Sequence, residues 1–156
     1  MSLELYKIAL SQLKGIGPSR ASILLEKLAS ITDLFTQNDR ELFLQTGISY
    51  NIIKEMNRDE ALRIAEDQLT FNERNHIRSH FFMDEDYPRR LRQCPDAPII
   101  LFSKGLEELN HAKVVSIIGT RNQTDYGKKI TEELLETIAS KDLTIVSGLA
   151  YGVDIH

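Results

Sequence analysis

The sequence predicts a mixed α/β protein: a small all-helical domain over residues 1–75, then the first part of a parallel sheet over residues 76–156. Three observations carry this. Apolar residues recur at helical spacing through the first half. The composition shifts near Asn75 towards strand-like runs and prolines. From Ala112 the pattern reads strand, helix, strand, the signature of a parallel βαβ unit.

In "LELYKIALSQL" the apolar positions Leu5, Ile8, Ala9 and Leu13 share one helical face. Pro18 suits the first turn of a second helix, where its missing N–H is no loss. Ala21, Leu24, Leu25 and Leu28 continue that helix. Ser30 is placed to cap "ITDLF", and "DRELFLQTG" reads as a short helix ending at Gly47. "SYNIIKEMNRDEALRIAEDQLTFNER" reads as one longer helical stretch, with Ile53, Met56, Ala61, Ile64 and Leu69 on one side. "HIRSHFF" is strand-like. "DEDYPRRLRQCPDAP" holds three of the four prolines and is expected to be extended or turning. "PIILFSKG" is a compact strand ended by Gly105. "AKVVSII" is a near-continuous apolar run, as expected for a strand covered on both faces. Asp125 to about Ser140 is helical, with Ile130, Leu134, Leu135 and Ile138 facing inward, and "LTIVSG" is the next strand. Two parallel strands and one crossover helix do not make a stable sheet, so the chain is expected to be a fragment of a longer one. A weak echo between "LKGIGPSRASILL" and "LQTGISYNIIKEM" is compatible with a duplicated hairpin.

With 42% apolar residues the chain can bury a core, and its net charge of -4 confines any basic surface to a local patch. The single cysteine, Cys94, cannot close an internal disulfide, which fits a reducing compartment. No apolar run approaches the roughly 20 residues that cross a bilayer. The expectation is a soluble, cytoplasmic protein without a membrane partner.

"KGIGPSRA" brackets Ile16 with two glycines. Glycine permits positive φ and close backbone approach, and the N–H groups of the following helix favour an anion. Residues 1–30 carry Lys7, Lys14, Arg20 and Lys27 against Glu4 and Glu26. The functional reading is a helix-hairpin-helix element in which Lys14, Gly15, Gly17 and Arg20 grip a nucleic-acid backbone. The alternative is a tight turn that only packs helices.

"IIGTRNQTDYG" leaves a strand through Gly119. Ligands of open α/β sheets bind beyond the carboxyl ends of the strands. Thr124 can cap the helix starting at Asp125, leaving N–H groups near Asp125 to Gly127 for a phosphate. Arg121 projects from the same loop, and a guanidinium matches phosphate oxygens in pairs. The next strand ends in "VSGLAYGVD", which puts Ser147, Gly148 and Gly152 on a neighbouring small-residue loop. The glycine spacing departs from the GxGxxG dinucleotide signature. Simple turn geometry is the alternative reading for both loops.

"GTRNQTDYG" followed by "VSGLAYGVDIH" is similar to the paired motifs "GSRxxSxYG" and "SGxAxGID" of the DNA-processing A (DprA/Smf) family. "DEDYPRRLRQCPDAPIILFSKG" resembles that family's lead-in, so the resemblance covers nearly the whole chain. It implies an extended Rossmann-like core without redox chemistry or cofactor. A helix-hairpin-helix or SAM-like domain precedes that core. It implies a non-enzymatic, single-stranded DNA-binding protein of natural transformation, which protects incoming strands and loads the RecA recombinase. The full-length protein is then expected to be a homodimer. By position, Gly119, Thr120, Arg121, Thr124 and Gly127 match the first motif; Ser147, Gly148, Gly152 and Asp154 match the second. Thr120 replaces the commoner serine. Tyr151 stands where many members carry a basic residue, and a tyrosine can stack on a base.

His76 and His80 lack an evident third ligand, so no metal site is expected. Cys94 has no evident catalytic partner. Arg89, Arg90 and Arg92 read equally as a positive track or a solvated face. No Ser-His-Asp set and no carboxylate cluster are apparent, and no catalytic residue is assigned. Two rivals are a Rossmann-like enzyme hydrolysing nucleoside monophosphates, of phosphoribohydrolase type, and a helical module that docks a protein partner.

Overall fold

The computed structural model describes residues 2–105 and 108–155 and is mixed α/β. It divides into two compact units, Met1–Leu109 and Asn110–His156. The first unit therefore takes in the strand pair that the composition shift near Asn75 assigns to the following domain.

In the first unit α1 (Leu3–Gln12) starts at Ser2, whose hydroxyl accepts from the Leu5 N–H. Its apolar stripe buries Leu5, Ile8, Ala9 and Leu10, chiefly against the long helix α6 described below. α2 (Pro18–Lys27) carries Pro18 in its first turn as expected and buries Ala21 and Leu24. Ser30 is not a helix cap: α3 (Asp33–Thr36) is a single turn with Thr32 at its N-cap. Ser30 instead opens the preceding turn, its Oγ accepting from the Thr32 N–H at 3.2 Å. α4 (Asp39–Thr46) begins in a reciprocal capping box of Asn38 and Glu41, which satisfies two orphan donors at once. It ends at Gly47 with φ 69°, a left-handed C-cap.

The expected long helix is two. α5 (Tyr50–Glu55) and α6 (Arg58–Asn75) part at Asn57, which adopts φ 52°. The new helix start is fixed by one side chain. The Arg58 guanidinium donates to the carbonyls of Leu34 and Gln37, at 3.2 and 2.7 Å, and pairs with Asp39. α6 ends at His76 in the left-handed region, and β1 (Ile77–Phe81) follows. β1 pairs antiparallel with β2 (Ile100–Lys104), Ile77 opposite Lys104 and Phe81 opposite Ile100. Between them lies the one-turn helix α7 (Arg89–Arg92). Phe81, Ile99 and Ile100 join the helical core. Each such side chain withdrawn from water contributes about 1.5–3 kcal/mol, and this is why the strand pair folds with the helices.

In the second unit β3 (Val114–Ser116) pairs parallel with β4 (Thr144–Val146) through the crossover helix α8 (Asp125–Ala139). A short 3-10 turn, Val153–Ile155, closes the unit. The expected burial of these strands on both faces is not met: Val115, Ile145 and Val146 are exposed, and so are Ile130 and Leu134 of α8. Two strands and one helix supply too little surface to cover both sides of a sheet. No helix among the described residues is long and apolar enough to cross a membrane.

Candidate nucleic-acid interface

The parallel pairing of β3 and β4 sets the two glycine loops side by side. The ladder's last bond runs from Ile117 N–H to the Val146 carbonyl at 3.0 Å. Beyond it the loops touch. A Cβ at Gly119 would run into the Val153 side chain, and one at Gly152 would overlap the Thr120 carbonyl and stand 2.7 Å from the Arg121 carbonyl oxygen. Gly152 also has φ 96°, so only glycine suits it on both counts. The Val153 N–H donates to the Thr120 carbonyl at 3.3 Å.

The expected amide cradle is largely used up internally. The Gly119 and Gly148 N–H groups both donate to the Asp154 carboxylate, at 3.2 Å each. The Gly127 N–H donates at 3.1 Å to Thr124 Oγ1, which caps α8 as expected but occupies that amide. The Ser147 hydroxyl donates to the Asp154 carbonyl, and the Thr120 hydroxyl to that of Asn122. What remains open is Arg121, which is exposed and held by no carboxylate among the described residues. The amides of Asp125 and Tyr126 also lack an intrahelical acceptor, being in the first turn of α8. The Asp125 carboxylate sits in that same turn, so the attraction for an anion rests chiefly on Arg121. Tyr126 and Tyr151 are 75% and 81% exposed at this end of the unit. Sequence reasoning misses Tyr126, although an aromatic beside a phosphate-binding loop is a signal for base stacking.

The hairpin site lies in the other unit. Gly15 has φ 76°, the conformation that needs glycine. Gly17 is extended, with φ -96° and ψ -176°, and serves as the N-cap of α2. Ile16 between them is buried in the core. Arg20 folds back, donating to the Gly15 carbonyl at 2.6 Å, and Lys14 lies 3.4 Å from the Glu55 carboxylate. Arg20 therefore braces the turn itself, whereas Lys14 makes an exposed ion pair with α5 that contributes little. Arg92 is exposed but also engaged within the chain, its guanidinium donating to the Asp84 carbonyl and lying 5.8 Å from the Tyr87 ring centroid.

No Ser-His-Asp set is apparent in the sequence, yet the structure brings one together around His80. Its Nδ1 lies 2.6 Å from Asp86 and its Nε2 2.7 Å from Ser103 Oγ. A nucleophilic array keeps its carboxylate buried behind an open base. Here the Asp86 side chain is 59% exposed and that of His80 only 4%. The chain of bonds is a brace that ties the segment after β1 to β2. His76 is on the helix cap, and no group of three or more metal-ligating side chains occurs among the described residues. Cys94 is exposed, with its thiol 3.8 Å from the Arg90 carbonyl.

Comparison with known proteins matches residues 78–156 to the model of the family described as DNA recombination-mediator protein A. Protein Smf of Synechocystis sp. is 31% identical over 166 residues, covering 98% of this chain and 39% of the relative. The DNA processing protein DprA of Bacillus subtilis is 42% identical over 71 residues, covering 45% of this chain and 24% of the relative. That of Streptococcus pneumoniae is 37% identical over 76 residues, covering 49% and 27%. The matched stretch is thus well under half the length of each of these relatives.

Proposed function

The chain belongs to the DNA recombination-mediator protein A family, and from that membership we propose that it binds single-stranded DNA at the paired loops after β3 and β4. The observation that carries this reading is the exposed Arg121, held by no carboxylate among the described residues, on a loop braced by its neighbour. Its guanidinium takes a backbone phosphate, aided by the amides of Asp125 and Tyr126. Tyr126 and Tyr151 offer rings for unpaired bases, which favours a single strand over a duplex. In this reading Gly119, Thr120, Thr124, Gly127, Ser147, Gly148 and Gly152 shape the loops rather than touch DNA.

The names of the relatives, DNA processing proteins, support a role in processing DNA, and in this reading that role belongs to natural transformation. The full protein would act in the cytoplasm as a homodimer, shield entering strands and deliver them to the RecA recombinase. It would do so without catalysing a reaction. Lys14 and Arg20 of the hairpin form a second contact only if DNA displaces their present partners.

The test is a titration of a fluorescent oligonucleotide across salt concentrations. Phosphate contacts release counterions, so affinity falls with salt. Arg121→Ala is expected to weaken binding and to reduce the logarithmic salt slope by about one. Unchanged affinity and slope would remove Arg121 from the site.

A further inference from the structure

We infer that Asp154 is the positioning residue of the DNA contact, a carboxylate that locks the Arg121 loop to the loop after β4 without meeting DNA. The inference rests on the DNA-binding reading above. Among the described residues, only two kinds of hydrogen bond cross between the loops beyond the β3–β4 ladder. One is Val153 N–H to the Thr120 carbonyl. The other is the Gly119 N–H to Asp154 Oδ1 at 3.2 Å, while Asp154 Oδ2 takes the Gly148 N–H of its own loop at the same distance. Each amide lies just past the end of a different strand, so one carboxylate spans both.

The fit is close. A Cβ on Gly148 would stand 3.0 Å from Asp154 Oδ2. The Ser147 hydroxyl fixes the Asp154 backbone by donating to its carbonyl at 3.2 Å. Asp154 is half-buried, and hydrogen bonds from amides to a carboxylate are of the stronger, charge-assisted kind. Two loop amides suited to an external anion are thus committed to an internal one. Arg121, two residues beyond Gly119, inherits a fixed starting point instead of a mobile one.

Electrostatics and positioning predict opposite signs. A negative charge near a phosphate site repels DNA, so removing it raises affinity if Asp154 is only a bystander. If Asp154 positions the loop, removing it lowers affinity although the site becomes more positive.

The experiment compares the parent chain, Asp154→Asn and Arg121→Ala in the oligonucleotide titration, with backbone amide exchange measured on each. Asp154→Asn is expected to bind about tenfold more weakly, the scale of one lost charge-assisted bond, at an unchanged salt slope. Its Gly119 and Gly148 amides are expected to lose protection together while those of Val115 and Ile145 keep theirs. Equal or tighter binding by Asp154→Asn overturns the inference and leaves the DNA reading intact. No binding by the parent chain overturns the DNA reading itself, and this role with it. The parent also supplies a check that needs no variant. If its Gly119 and Gly148 amides exchange as fast as those of Asp125 and Tyr126, the clamp does not exist.

Discussion

Tyr87 is completely buried, and its hydroxyl donates to the Pro98 carbonyl at 2.8 Å. Burial pushes its phenol above the ordinary value of about 10, with the Arg92 guanidinium opposing the shift. As pH rises the unfolded chain loses this proton first, so ionisation favours unfolding. The contribution is complete below about pH 10 and is lost as pH climbs through the folded-state value. Melting temperatures of the parent are expected to fall in that alkaline window. Tyr87→Phe is expected to flatten the fall, while costing about 0.5–1.5 kcal/mol at neutral pH for the lost hydrogen bond. At this scale the sequence is only partly legible. Thr124 reads as a cap because its partner is three residues on. Asp86, His80 and Ser103 do not read as a set, because strand pairing across 23 residues brings His80 to Ser103. The commitment of Gly119 to Asp154, 35 residues away, is hidden for the same reason.

Among the elements, the α1–α2 hairpin separates its two glycines. Gly15→Ala places a Cβ in the left-handed region and is expected to cost roughly 1–2 kcal/mol. Gly17 has extended backbone, and a Cβ added there would meet nothing within 4 Å. Gly17→Ser, whose oxygen can cap α2, is expected to be neutral or stabilising by about 0.5 kcal/mol. Urea unfolding of the two variants checks the contrast, and equal losses would contradict it. The helices themselves are legible because their apolar stripes are local. The break at Asn57 is not, since one left-handed residue leaves the spacing of Ile53, Met56 and Ala61 nearly undisturbed. Asparagine tolerates that conformation better than most residues, so its presence is a weak hint visible only afterwards. The strand β3 shows the converse. An apolar run announces a strand, and neighbouring elements decide whether its faces are covered.

Across the whole molecule, burial is unevenly shared. The buried hydrophobic cluster runs from Leu5 to Ile100 and lies within the first unit. The second unit leaves Ile118 83% exposed, and Leu149 and Ile155 are exposed as well. Local opening follows buried apolar contact. Amides of β3 and β4 are therefore expected to exchange faster than those of α1, α6 and β1, a difference read by hydrogen exchange at neutral pH. Equal protection in both units would contradict this accounting. The two compact units divide after β2, between Leu109 and Asn110, and Phe81, Ile99 and Ile100 join the helical core of the first. The two-stranded parallel sheet carries one more consequence. Each of its strands has a single partner among the described residues, so its outer rim offers a row of unclaimed backbone groups beside oily side chains. Such a rim is a template for a second polypeptide. Protein concentration is then an experimental variable in its own right, because crowding favours rim-to-rim stacking between copies.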